Sequence, residues 1–203
     1  MLIVLTSERA IKNEADQINK LFENGLEVLH VRKPMMDLEK YKALIQEVEP
    51  IYHDRVVLHQ YHELSTVFSC KGIHLKERLR QCLQQNVNTY VEDYKARGLT
   101  VSSAFHSKET IKSCVVDFDY VLLSPVFNSI SKTDYIGQAF NVCDLKEVVV
   151  GMGGVNQHTL QKTFNLGYKG VGILGGIWNS KNPIESFIVL YKKYTTIFKQ
   201  IKH

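Results

Sequence analysis

The chain has 203 residues, 44% of them apolar, and a formal charge of +4. That length carries one sizeable core, no apolar run is long enough to cross a membrane, and the lysines are spread rather than massed, which argues against nucleic acid as a partner. Cys70, Cys82, Cys114 and Cys143 form no CxxC pair, and Met1–Thr6 lacks the basic lead of a signal peptide, so reduced thiols and a cytoplasmic location are expected.

β-rich runs alternate with helical patterns from end to end. Met1–Thr6 reads as a first strand. Ile11–Asn24 has apolar residues at Ala15, Ile18, Leu21 and Phe22, which is helical spacing, and Gly25 stops it. Leu26–Val31 is a second strand. Asp37 is placed to cap a helix over Leu38–Val48, closed by Pro50. Arg55–His59 is a third strand, followed by a helix around Glu63–Ser69, and Gly72–Leu75 is a fourth strand. Arg80–Arg97 is polar and weakly periodic, with helix expected in its second half. Leu99–Ser103 is a fifth strand, and Ser107 caps a helix through Val115. Tyr120–Leu123 is a sixth strand. The long loop Ser124–Asn141 follows, and loops of such length are functional suspects. A short helix around Asp144–Glu147 leads to strand seven, Val148–Val150. Asn156 is expected to cap Gln157–Asn165, which Gly167 ends. Val171–Leu174 is strand eight, and Asn182-Pro183 opens the last helix, Ile184–Ile201.

Eight strand–helix units demand parallel pairing and match the count that closes a (β/α)₈ TIM barrel, here a single α/β domain over residues 1–203. An open doubly wound sheet is the alternative. It would place a GxGxxG turn after strand one, and the chain has none there.

Two glycine-rich strand ends stand out, Val148-Val-Val-Gly-Met-Gly-Gly-Val155 and Gly170-Val-Gly-Ile-Leu-Gly-Gly-Ile177. In such a barrel ligands bind at the carboxyl ends of the strands, and a phosphate often sits where the loops after strands seven and eight meet. Gly153 and Gly154, and Leu174, Gly175 and Gly176, would bring backbone N–H groups to an anion there. Tight-turn glycines without a ligand are the plain alternative.

With these segments in place the chain resembles the thiamine phosphate synthase and thiazole tautomerase superfamily of small phosphate-binding barrels. The likeness is carried by Leu29-His-Val-Arg-Lys33, Gly72-Ile-His-Leu75, Ser102-Ser-Ala-Phe-His106, Asp119-Tyr-Val-Leu-Leu-Ser-Pro-Val-Phe127 with Asn128-Ser-Ile-Ser-Lys132, and the two glycine stretches. The resemblance implies joining of a hydroxymethylpyrimidine diphosphate to a thiazole phosphate with release of diphosphate, and Mg²⁺ as cofactor. It assigns catalytic places to Arg32, Lys132 and His106. His30, Lys33, His59, Gln60, Ser103, Ser129 and Ser131 fall at or beside substrate-binding positions, the last two in place of family threonines. Pro125 follows the synthase pattern, where the tautomerase branch can carry a catalytic histidine. The residues depart from the family in two ways. An Asn-Asp pair after strand three is replaced by His59 and Gln60, and a second aspartate by Leu79; those two aspartates bind Mg²⁺ in the family. The family lysine two beyond Arg32 is Pro34, with Lys33 one residue early. A one-residue offset on a strand turns the side chain to the other face.

His30, His59, His74 and His106 all fall at strand ends that converge in a barrel. Four imidazoles there could hold a transition metal or move protons, although no carboxylate accompanies them at fixed spacing; hydrogen-bonded strand-end histidines are the plain reading. The expected function is therefore a synthase-type transferase acting on small phosphorylated heterocycles. A metal-independent thiazole-phosphate tautomerase and a non-catalytic phosphate binder are the alternatives. Barrels of this kind often form homodimers, but the last helix's face of Phe187, Leu190, Tyr191, Tyr194 and Phe198 reads as barrel packing before it reads as a dimer seam.

Overall fold

The computed structural model describes residues 1–128 and 137–199. Eight parallel strands close in chain order, with β8 pairing back onto β1. They are β1 (Leu2–Leu5), β2 (Val28–Val31), β3 (Val56–Leu58), β4 (Gly72–Leu75), β5 (Thr100–Phe105), β6 (Tyr120–Leu123), β7 (Val149–Met152) and β8 (Gly170–Ile173). The outer layer holds α1 (Glu14–Glu23), α2 (Leu38–Glu47), α3 (Leu64–Val67), α4 (Glu77–Leu83), α5 (Val87–Ala96), α6 (Lys108–Lys112), α7 (Leu160–Asn165), α8 (Gly175–Trp178) and α9 (Pro183–Phe198).

Strand alternation sorts the apolar residues into two cores. Ile3, Leu5, Val28, Val57, Tyr120, Leu122 and Val150 cluster inside the barrel. Their chain neighbours, such as Leu2, Val4, Leu29, Val31, Ile73 and Val101, pack outward with the helices. The same alternation carries polar groups inward. His74 pairs in register with Ser102, and Ser102 with Tyr120, so these residues share a level across three strands.

The expected caps form at three helices. Asp37 accepts from the N–H of Lys40 at 2.9 Å, Ser107 from that of Thr110 at 3.2 Å, and Asn182 from that of Glu185 at 3.2 Å, with Pro183 at the start of α9. Phe187, Leu190 and Tyr194 of α9 are buried in the core, and Tyr191 lies against Gly25.

Two expectations are corrected. No helix forms at 144–147; the Asp144 carboxylate instead takes ion pairs from Lys108 and Lys112, and the segment turns without winding. Asn156 does not cap a helix starting at Gln157. Its Oδ1 accepts from the His158 N–H at 2.8 Å, closing a local turn, and α7 starts only at Leu160. In the weakly periodic stretch 80–97 the helix expected in its second half forms as α5, and the end of a further helix, α4, precedes it, set apart at Gln84 with φ 47°.

Candidate active site

A cavity of about 520 Å³ opens at the carboxyl ends of the strands. Its wall over β7 and β8 includes Gly153, Gly154, Leu174, Gly175 and Gly176. Gly153 and Gly154 have φ of +89° and +67°, and a Cβ on them would come within 2.9 Å of Pro125 Cα and 2.6 Å of the Asn128 carbonyl oxygen. Glycine is therefore required here because the segment after β6 crosses tightly over this turn, where the Phe127 N–H donates to the Gly153 carbonyl at 3.0 Å. The sequence did not announce α8. It is a four-residue helix starting at Gly175 and anchored by the Trp178 indole N–H, which donates to the Leu5 carbonyl at 2.6 Å. Helix geometry leaves the first-turn N–H groups of Gly175 and Gly176 without intrahelical partners.

Arg32 and Glu8 line the same cavity and pair with each other. The Arg32 backbone is fixed from β1, its N–H donating to Thr6 Oγ1 at 2.8 Å. Lys76, directly after β4, lies close enough to feel both charges: burial first, then Arg32, lowers its pKa, while Glu8 raises it. The sequence reading passed over Lys76; its place one residue past a strand end was the available signal. His106 lines the cavity half exposed. Its Nδ1 donates to the Ser124 carbonyl at 2.9 Å, which leaves Nε2 as the lone-pair nitrogen of the neutral ring, 3.7 Å from a Glu77 oxygen.

Beneath the mouth lies a buried polar cluster. His30 Nδ1 faces His59 Nε2 at 2.9 Å, and His30 Nε2 meets the Tyr120 hydroxyl at 2.7 Å. The His74 ring stacks on that of His59 with centroids 4.2 Å apart, and its Nδ1 bonds Ser102 Oγ at 2.8 Å. Burial pushes the His30 pKa down to about 3, and burial followed by neighbouring imidazoles holds His59 and His74 well below the usual histidine range. All three rings are neutral at physiological pH.

Other nominated residues lie elsewhere. Lys33 is 2% exposed and faces away from the cavity, its Nζ donating to Glu14 at 2.6 Å and to the Arg9 carbonyl at 3.1 Å. Ser103 points out of the barrel and bonds Arg80 and the Leu75 carbonyl; it is Ser102 that faces the interior. Ser129, Ser131 and Lys132 lie outside the described residues. At the family's Mg²⁺ positions, Gln60 presents a buried carbonyl oxygen without a partner, and Leu79 packs against the apolar core. Nearby Glu77 lies 3.7 Å from Arg80 as an ion pair. One neutral amide and a hydrocarbon do not supply the hard charged oxygens Mg²⁺ requires, so the residues present do not fit that ion in the family's manner.

Fold and cavity define the class: a closed (β/α)₈ barrel with a cavity that opens over the ends of β7 and β8. The family's sequence model, described as thiamine monophosphate synthase, matches residues 1–177, and the chain belongs to that family. A thiamine-phosphate synthase of Dictyoglomus turgidum is 20% identical over 184 residues, 86% of this chain and 80% of its own length. That of Clostridium acetobutylicum is 19% identical over 203 residues, covering 93% and 92%. Among solved structures, a thiamine phosphate pyrophosphorylase from Bacteroides thetaiotaomicron is 28% identical with a TM-score of 0.75, covering 100% of this chain and 99% of that one. One from Pyrococcus furiosus superposes with a TM-score of 0.79 at 16% identity, covering 97% and 96%.

Proposed function

We propose that the chain is a thiamine-phosphate synthase-type transferase, joining a hydroxymethylpyrimidine diphosphate to a thiazole phosphate. The reading rests on one observation: the glycine wall of β7 and β8 and the Arg32 guanidinium line a single cavity. Such a cavity suits two substrates that both carry phosphate. In the proposed reaction the bond between the pyrimidine methylene carbon and the diphosphate oxygen breaks. Diphosphate leaves with the electron pair, and the thiazole nitrogen supplies the pair for the new C–N bond. The growing negative charge on the leaving group is the quantity to stabilise, and fixed cations do this best where water is scarce. We assign that role to Arg32 in the cavity wall, with Lys76 close enough to feel its charge, and assign the thiazole phosphate to the main chain of Gly153, Gly154, Gly175 and Gly176. The resemblance adds Ser129, Ser131 and Lys132 to these two groups.

The test is to incubate purified protein with both substrates, with and without Mg²⁺, and measure thiamine phosphate chromatographically. Formation in both conditions is expected. Absence of product under every condition overturns the transferase reading. A second reading, a thiazole-phosphate isomerase, draws on His106, whose Nε2 lone pair stands at the cavity wall as a base. Conversion of a thiazole tautomer by the protein alone, lost in His106→Gln, would favour it.

A further inference from the structure

We infer that His30, His59 and His74 form a transition-metal site inside the barrel, for a borderline divalent ion of the zinc, cobalt or nickel kind. One nitrogen from each ring lies within 4.8 Å of the others. A tetrahedral ion bonded at about 2.0–2.1 Å holds its nitrogens roughly 3.3–3.4 Å apart, so from 4.8 Å the widest pair must close by about 1.4 Å, while the His30–His59 pair, at 2.9 Å, must open by about 0.4 Å. Two of the rings are already held from behind. Tyr120 takes the far nitrogen of His30 and Ser102 takes Nδ1 of His74, the outer hydrogen bonds that orient ligating histidines and fix their tautomers. His59, 5% exposed, has a buried Nδ1 with no partner at all. Its other nitrogen meets His30 Nδ1 at 2.9 Å, a hydrogen bond between neutral rings whose place an ion would take.

The donor chemistry selects the ion. Three neutral imidazoles without a carboxylate are a poor set for Mg²⁺ or Ca²⁺ and a good one for zinc and its first-row neighbours. Three protein ligands leave a fourth position, as in open metal sites. Arg32 lies two residues beyond His30 on the same face of the strand, so the level above the histidines opens into the cavity. An anion bound there would balance the charge the ion adds beside Arg32 and Lys76. The site does not depend on the transferase reading, because metal binding is measured without turnover.

The test uses the full chain stripped with chelator and titrated with Co²⁺ and then Zn²⁺. Expected are one equivalent bound per chain, the visible absorption of Co²⁺ in a low-coordinate nitrogen site, and a raised Tm. His59→Gln and His74→Gln should each weaken binding at least tenfold, and Ser102→Ala about 10- to 100-fold. Replacing His158, Cys82 and Cys143 together should leave it unchanged. Should a histidine variant fail to fold, X-ray absorption on the wild-type zinc form decides the question: three imidazoles in the first shell are expected. No stoichiometric binding, binding retained in His59→Gln, loss of binding in the surface variant, or a first shell with fewer than three imidazoles would each overturn the inference.

Discussion

Glu8 sits where an anionic ligand would go. Its carboxylate pairs with Arg32 at the cavity rim, and both side chains keep solvent contact, at 44% and 31% exposure. A diphosphate must displace it to reach the guanidinium. Exposed pairs of this kind are worth about 0.2–1 kcal/mol, so Glu8→Gln should tighten diphosphate binding roughly 1.5- to 5-fold in a calorimetric titration. Unchanged or weaker binding would place the anion elsewhere. Lys33 gives the contrasting case. It is one residue from Arg32 and nominated for the same ligand, but the pleat turns it outward, against Glu14. Lys33→Met leaves a buried carboxylate uncompensated, which costs about 3–5 kcal/mol in unfolding free energy. Diphosphate affinity of the folded protein should not move. The displaced lysine was readable from the two-residue period; its buried partner nineteen residues back was not, because nothing local in the sequence pairs β2 with α1.

Among the elements, the strands were legible and the connections less so. Buried parallel strands are short apolar runs that announce themselves, and Gly72–Leu75 and Tyr120–Leu123 match to the residue. The failures cluster where side-chain bonds decide the backbone: Asn156 closes a turn in place of a cap, and Asp144 gathers two lysines in place of opening a helix. The four residues of α8 are too few to show a period. The glycines stand at the ends of β7 and β8 as read, and the close approach that Gly153 and Gly154 allow is visible only in tertiary structure. Two substitutions separate backbone strain from close approach. Gly98 has φ +79° with open space around a would-be Cβ, whereas Gly153 has φ +89° with Pro125 in the way. Gly98→Ala should lose about 1–2 kcal/mol in urea unfolding, the ordinary penalty of a left-handed alanine. Gly153→Ala should lose about 1–3 kcal/mol more from overpacking. It should also weaken inorganic phosphate binding, which Gly98→Ala should not. Equal losses would mean that the segment after β6 yields freely.

At the scale of the whole barrel, closure is what brings His30, His59 and His74 together. The sequence placed each at a strand end, yet only the closed register decides that three rings meet below the mouth while His106 stays at its rim. That burial makes the fold acid-sensitive in a particular window. An unfolded histidine titrates near about pH 6.5. In the folded chain burial lowers His30 to about 3 and holds the other two well below the usual range. The unfolded state therefore binds more protons as pH falls below about 6.5, and stability present above that pH is lost on the way toward the folded pKa values. Each such group contributes a slope of up to about 1.4 kcal/mol per pH unit, and buried His62, lowered to about 4, adds to the same trend. Against a total stability of about 5–15 kcal/mol for an ordinary domain, slopes of this size weaken the fold measurably as the pH falls below about 6.5. Most carboxylates are still ionised between pH 6.5 and pH 5, so urea midpoints measured across that interval isolate the histidines. In chelator-treated protein the midpoint should drop there, and His59→Gln, if folded, should make the drop shallower. A flat profile over that interval would mean that the rings take up protons in the folded barrel, and their burial could not then be as complete as the packing indicates.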